Sequence, residues 1–158
     1  MSTLSQSQIT ATKYFEFAMG HRLARGYAGP CTNFHGHNYR VAVELAAIAG
    51  LNDCDMVMDF KEIKRLFGGW LDAHFDHAMC LPYDEKTYVV DFFTTNGFKV
   101  FHMPASHQNP TAENLAAMLG GIFAVMVSNM KVAVVAVTVW ETSSACATWR
   151  AESHDKTV

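Results

Sequence analysis

His35-Gly36-His37 places two imidazoles at i and i+2 where an alternating stretch begins. In a strand both rings point to one face, and the intervening glycine leaves space beside them. His21 closes an earlier alternating stretch, so a hairpin between the two stretches would bring a third imidazole beside the pair. Three imidazole nitrogens suit Zn²⁺ and leave a fourth tetrahedral position for water or substrate, as in catalytic sites. The alternative is a set of polar residues at a strand mouth. Cys31 stands four residues before His35, in the loop that would close over such a metal. A thiol near a dication or a protonated imidazole loses its proton more readily and can serve as nucleophile or base.

Two further constellations could move protons or hold a ligand. Asp76-His77 joins a carboxylate to an imidazole where the chain leaves regular structure, which makes either a proton shuttle or a capping pair at the surface. Glu141 follows Trp140 at the end of a valine-rich run and is either a solvated strand end or an acceptor awaiting a ligand with two donors. Cys54, Cys80 and Cys146 have no partner in the sequence and read as small core hydrophobes. His74, His102, His107 and His154 follow no pattern and read as surface polar residues.

These groups need a scaffold, and the periodicities supply one. Phe15, Phe17 and Met19 alternate with Tyr14, Glu16 and Ala18, the period of a half-buried strand over Lys13 to Met19. After a Gly- and Pro-rich break from Gly20 to Phe34, the stretch from His37 to Ile48 alternates again, with Tyr39, Val41, Val43 and Leu45 on one face. Asp59 can cap a helix whose apolar positions are Phe60, Ile63, Leu66, Phe67, Trp70 and Leu71, with Glu62 three residues after the cap. Gly68 and Gly69 weaken that helix.

Asp76 to Ser106 reads as irregular, with a short pair around Thr87 to Val90 and Phe98 to Met103. Pro110-Thr111 opens a buried helix to about Met130, and Val132 to Glu141 and Ala145 to Glu152 form a second hairpin around Thr142-Ser143-Ser144. The order strand, strand, helix, irregular segment, helix, strand, strand argues for an α+β domain, with two helices on one face of an antiparallel four-stranded sheet. Open sheet edges on a charge-poor chain favour oligomerisation.

The 158 residues fit one domain spanning 1–158, with a flexible N-terminus over 1–10. Hydrophobic residues make up 50% and charged residues 17%, a balance that excludes a disordered chain. Twelve Lys and Arg against fifteen Asp and Glu leave a charge of -3, which offers no footprint for nucleic acid. The longest apolar run, Leu115 to Val127, is shorter than the roughly 20 residues a membrane span needs. With no basic, apolar leader and no CxxC pair, the expected compartment is the cytoplasm.

The ordered segments Phe17-Ala18-Met19-Gly20-His21-Arg22-Leu23, Cys31 to Tyr39, Met56 to Phe60, Phe75-Asp76-His77, Pro110 to Asn114 and Glu141-Thr142 resemble the 6-pyruvoyl and 6-carboxytetrahydropterin synthases over roughly residues 14 to 150. The resemblance implies a T-fold whose sheets join into a barrel, as a trimer or hexamer, with active sites between subunits. It puts His21, His35 and His37 on zinc ligands, Cys31 on the catalytic base, Asp76 and His77 on the proton relay and Glu141 on the pterin anchor, also counted with the relay. Thr142, Thr111 and Glu113 fall among its substrate contacts, and Arg22 and Arg25 are candidates for the triphosphate.

The implied reaction is a zinc-dependent lyase step on dihydroneopterin triphosphate, giving 6-carboxytetrahydropterin, acetaldehyde and triphosphate in queuosine (7-deazaguanine) biosynthesis. Only Thr32, Asn33 and Phe34 separate Cys31 from the histidine pair, which resembles the bacterial carboxy synthases rather than the longer-looped pyruvoyl synthases. The alternatives are the pyruvoyl synthase, which retains the side chain, and a non-catalytic zinc-containing T-fold binding protein. The chain departs from the bacterial pattern at Ala78 to Asn109, where Cys80-Leu81-Pro82 opens a long segment bearing on the substrate mouth.

Overall fold

A computed structural model describes residues 9–152. The hairpin of β1 (Thr10–His21) and β2 (His35–Ala47) is the centre of the molecule, antiparallel in register from Thr10 opposite Ala46 to His21 opposite His35. Residues alternate across it as expected: Phe17, Met19, Tyr39, Val41 and Val43 are buried on one face, while Glu16, Asn38 and Arg40 stand exposed on the other. Thr10 already lies in β1, so of the stretch 1–10 expected to be flexible only Ile9 precedes the strand among the described residues; 1–8 lie outside them.

The sheet has six strands in the order β4-β3-β1-β2-β5-β6, not four, and it is mixed rather than antiparallel. On one side β5 (Val132–Trp140) and β6 (Cys146–Arg150) form the expected second hairpin, with a bulge opposite Glu44/Leu45. On the other, β3 (Ala78–Leu81) runs parallel to β1 and β4 (Val100–His102) parallel to β3. The expected pairing of Thr87 to Val90 with the stretch after Phe98 does not form. Thr87 instead opens a helix, α3 (Thr87–Thr95), numbered after the two introduced below. The Thr94 hydroxyl bonds the Val90 carbonyl at 3.0 Å and the Asn96 amide the Phe92 carbonyl at 2.7 Å, which closes the last turn against the strand preference of Val89 and Val90.

The helix capped by Asp59, whose carboxylate accepts from the Lys61 amide at 2.7 Å, runs as α1 (Phe60–Ile63), a π-helical turn over Lys64–Gly68 and α2 (Gly69–His74). The wider turn keeps Ile63, Phe67 and Leu71, with Phe75 beyond, on the buried face at intervals of four, while Phe60 is left exposed. Gly68 lets the helix lie close on the Phe15 ring, which a Cβ would crowd at 3.2 Å. The fourth helix, α4 (Ala112–Met126), is capped by Thr111 and buries Leu115, Leu119 and Phe123 on the same face of the sheet. It approaches β6 so closely that a Cβ on Gly120 would overlap the Trp149 indole. Phe67 and Phe123, centroids 4.5 Å apart, join the two helical layers. No helix among the described residues is long and apolar enough to cross a membrane.

Candidate metal centre

His21 and His35 are the last pair of the β1/β2 ladder and His37 faces Met19 one step inward, so alternation puts all three rings on the helix-covered face. A ligand atom from each lies within 4.8 Å of the others. Gly36 stands opposite Gly20 in the ladder, and a Cβ on Gly36 would crowd the Met19 carbonyl at 3.1 Å, so glycine lets the two strands approach closely between the ligands.

The carbonyls around the rings assign the tautomers. Nδ1 of His21 donates to the Pro110 carbonyl at 2.9 Å, and Nδ1 of His35 donates to the Asn33 carbonyl at 2.9 Å. Each ring then carries its lone pair on Nε2, and these two atoms face one another at 3.1 Å. Two lone pairs at that distance call for a cation or a proton between them. His21 is buried, and burial outweighs the Pro110 bond to hold its pKa below the ordinary value, which favours the neutral ring over a shared proton. Nε2 of His37 is buried with no hydrogen-bond partner and lies 3.4 Å from Oε1 of Glu141. Three Nε2 donors, two of them aimed by backbone acceptors at their far nitrogens, fit a divalent cation of the zinc class.

Tyr39 is a neighbour that motif spacing did not single out. Its hydroxyl lies 3.3 Å from Nδ1 and 3.4 Å from Nε2 of His21, and burial drives its pKa far upward, so it stays a neutral phenol. The signal was its place two residues after His37 on the same strand face. Pro110, whose carbonyl aims His21, is fixed through Asn109: the Asn109 carbonyl accepts from the Asn114 amide at 2.9 Å, while its side chain accepts from the Ala24 amide at 3.2 Å and donates to the Arg25 carbonyl at 2.8 Å.

Cys31 is half-buried in a single 3-10 turn, Pro30–Thr32, and its carbonyl accepts from the Leu23 amide at 2.8 Å. The neighbouring Tyr27 hydroxyl is held above its ordinary pKa by a hydrogen bond with the Cys31 thiol. Glu141 is half-buried at the end of β5, beside His37, rather than a fully solvated strand end.

Asp76 and His77 form a pair, Nδ1 of His77 lying 2.8 Å from Oδ2 of Asp76, whose other oxygen accepts from the Ala18 amide at 3.1 Å. Burial pushes the Asp76 carboxyl up, but the His77 bond, the Ala18 amide and the Lys99 charge outweigh it and hold it below the usual carboxylate range. His77 takes a left-handed backbone, φ 58°, and its amide bonds the Ala18 carbonyl at 2.7 Å, which steers the chain into β3. The exposed His77 ring borders clefts of about 450 and 490 Å³ shared with Ala18, Gly20, Gly36 and Asn38, or with Glu16, Asn38 and Arg40. Most of those residues alternate with the three ligands, while His37 itself also lines the first cleft.

The remaining candidates are dispersed. The Thr111 hydroxyl caps α4, Glu113 is exposed in its first turn, and the Thr142 hydroxyl accepts from the Ala145 amide in the β5/β6 turn. Arg22 is paired with Glu85, Nε to Oε2 at 2.7 Å, and exposed Arg25 lies 3.7 Å from Asp84. Cys80 is buried as expected, but Cys54 and Cys146 are exposed, on a loop and an edge strand that no core covers. His74 and His102 are exposed, with His74 stacked on Trp70, and His107 is half-buried; His154 lies outside the described residues.

A mixed sheet backed by helices, with three imidazoles at the mouth of its central hairpin, is the T-fold arrangement. The sequence model of the 6-pyruvoyl tetrahydropterin synthase family matches residues 10–152, and the chain belongs to that enzyme family. The 6-carboxy-5,6,7,8-tetrahydropterin synthase of Rickettsia bellii is 35% identical over 85% of this chain and 94% of its own, and that of Haemophilus influenzae 28% identical over 83% and 91%. An uncharacterized protein of Wolinella succinogenes superposes with a TM-score of 0.75 at 19% identity, over 93% of this chain and 100% of its own. The Caenorhabditis elegans 6-pyruvoyl tetrahydropterin synthase does so with 0.65 at 23% identity, over 95% and 100%. At those identities the two structures speak for the fold alone.

Proposed function

We propose that the protein is a zinc-dependent lyase that converts dihydroneopterin triphosphate and water to 6-carboxytetrahydropterin, acetaldehyde and triphosphate. It would act in the cytoplasmic route to queuosine and other 7-deazaguanines. The observation that carries this reading is the set of three converging Nε2 atoms, two facing each other as lone pairs at 3.1 Å and the third without a partner, beside Glu141. The names borne by the Rickettsia relatives point the same way.

Held by His21, His35 and His37, zinc supplies Lewis acidity toward the hydroxyls of the substrate side chain. Glu141 accepts two charge-assisted bonds from the adjacent N–H and amino groups of the pterin and orients the ring. Cys31, in the loop over the centre, removes a carbon-bound proton from the side chain as triphosphate leaves, and the Asp76–His77 pair relays protons during cleavage. Thr111, Glu113 and Thr142 would serve as outer substrate contacts, and Arg25 as a cation for the triphosphate. The ring is reduced at the expense of the side chain, so no nicotinamide takes part.

The position of His77 supports a site completed between copies. Within one chain its exposed ring opens on clefts lined mostly by residues that alternate with the ligands, of which only His37 reaches one cleft. A neighbouring copy packed there would bring a relay to the substrate of another site. A trimer or hexamer joined through the sheet edges provides that neighbour. The test is incubation of purified protein with dihydroneopterin triphosphate and detection of acetaldehyde by coupled alcohol dehydrogenase. A product that retains its three-carbon side chain, with no acetaldehyde, would make the protein a pyruvoyl synthase. Binding without turnover would make it a zinc-containing binding protein.

A further inference from the structure

α3 belongs to the segment that departs from the bacterial pattern, and none of its residues is buried. Tyr88 and Phe92 stand 68% and 58% exposed on it. The core therefore does not hold it. Immediately before the helix the buried contact is polar: the side chain of Glu85 is 1% exposed, and its charge is met by Arg22, the residue after the ligand His21. The terminal nitrogen of Arg22 donates to Oε1 of Glu85 at 3.1 Å, and Nε stands in ionic contact with Oε2 at 2.7 Å, outside hydrogen-bond geometry. The Lys86 amide gives the same Oε1 a second hydrogen bond at 2.9 Å.

The contact continues into the loop that carries Cys31. The Arg22 guanidinium lies over the Phe34 ring, 5.1 Å from its centroid, and Phe34 meets Phe93 of α3 edge to face at 5.4 Å. Phe34 lies between the Cys31 turn and His35, and at the other end of the loop the Leu23 amide holds the Cys31 carbonyl. Glu85, Arg22, Phe34 and Phe93 thus form a continuous chain from the added segment to both ends of the Cys31 loop. A buried ion pair contributes little net stability against its hydrophobic replacement, whereas it does specify one arrangement in some proteins, which is the use fitted here.

We propose that Arg22 is a positioning residue, which Glu85 and Phe93 use to lock the α3 segment onto the Cys31 loop, and that it is not a ligand of the triphosphate. The role assigned to Cys31 rests on the function proposed above. The lock itself does not, and the two are measured separately. In the zinc-loaded protein, the rate of Cys31 alkylation is followed by peptide-resolved mass spectrometry, with exposed Cys54 and Cys146 as internal references. Glu85→Gln and Phe93→Ala each raise the Cys31 rate several-fold and leave the references unchanged, since both free the same loop from different sides.

Arg22→Lys keeps the charge but loses the fork and the stacking face, so it too raises the rate, and it lowers kcat about tenfold or more while KM moves little. An unchanged Cys31 rate in both Glu85→Gln and Phe93→Ala overturns the proposal. So does an Arg22→Lys enzyme whose KM rises at unchanged kcat, the signature of a lost triphosphate contact. Absence of acetaldehyde from the wild-type protein would overturn the proposed reaction and leave the alkylation result standing.

Discussion

His21 and His35 turn unprotonated Nε2 atoms toward each other at 3.1 Å, because the Pro110 and Asn33 carbonyls hold the proton of each ring on Nδ1. A metal ion would resolve this opposition, with the partnerless Nε2 of His37 as the third donor. Replacing any one of the three by Ala is expected to reduce zinc from one per chain to well below stoichiometry, measured by elemental analysis after dialysis. Full zinc content in any of the three variants would show that the ligands are elsewhere.

Glu141 lies 3.4 Å from His37 at the end of β5, where a ring seated at the metal centre can be read by its two oxygens. Glu141→Gln turns an amide donor toward one of the pterin's own donors. The expected loss is about 1.5–3 kcal/mol for the charged bond removed, or roughly ten- to a hundredfold in affinity. Titration calorimetry with a pterin checks this, and unchanged affinity would remove Glu141 from the site.

Cys31→Ala and His77→Ala should each lower turnover by about 10²–10⁴ while zinc content and melting temperature stay near wild type. If the relay reaches its substrate from a neighbouring copy, mixed oligomers of the two inactive variants contain some sites with both groups intact. Co-refolding them should restore a sizeable fraction of wild-type activity, whereas no recovery would place both groups in one chain's site.

The acid limb of the stability curve should carry the mark of Asp76. Its carboxyl lies below its ordinary value of 3.8 in the folded protein, so its contribution is present above the unfolded value and is lost as pH falls through the folded one. Asp76→Asn should therefore be less stable than wild type at neutral pH, and the gap should close below about pH 4 in urea titrations. A gap that persists to pH 2 would mean that the charge is not the source.

Local pattern determined much of this protein. Period-two alternation placed β1, β2 and β6 and a β-branched run placed β5, while alternation also put His35, His37 and Tyr39 on one face, because a strand's side-chain direction depends only on residue parity. Asp59 and Thr111 marked their helices because a cap acts within three residues. Ordered family motifs single out Cys31, Asp76, His77 and Glu141 as candidates, whereas their spatial relation to the three imidazoles is not written in any motif.

What the tertiary structure decided was every relation between distant segments. Ala78–Leu81 is a short apolar run that names no neighbour, yet it pairs parallel with β1 and enlarges the sheet. Thr87 to Val90 has strand-forming residues, but the open edge was taken by β3 and the segment closed on itself as a helix. Arg22 read as a free cation until Glu85, far along the chain, met it in a buried site. Such pairings depend on which surfaces exclude water together, and that is a property of the packed chain rather than of any window along it.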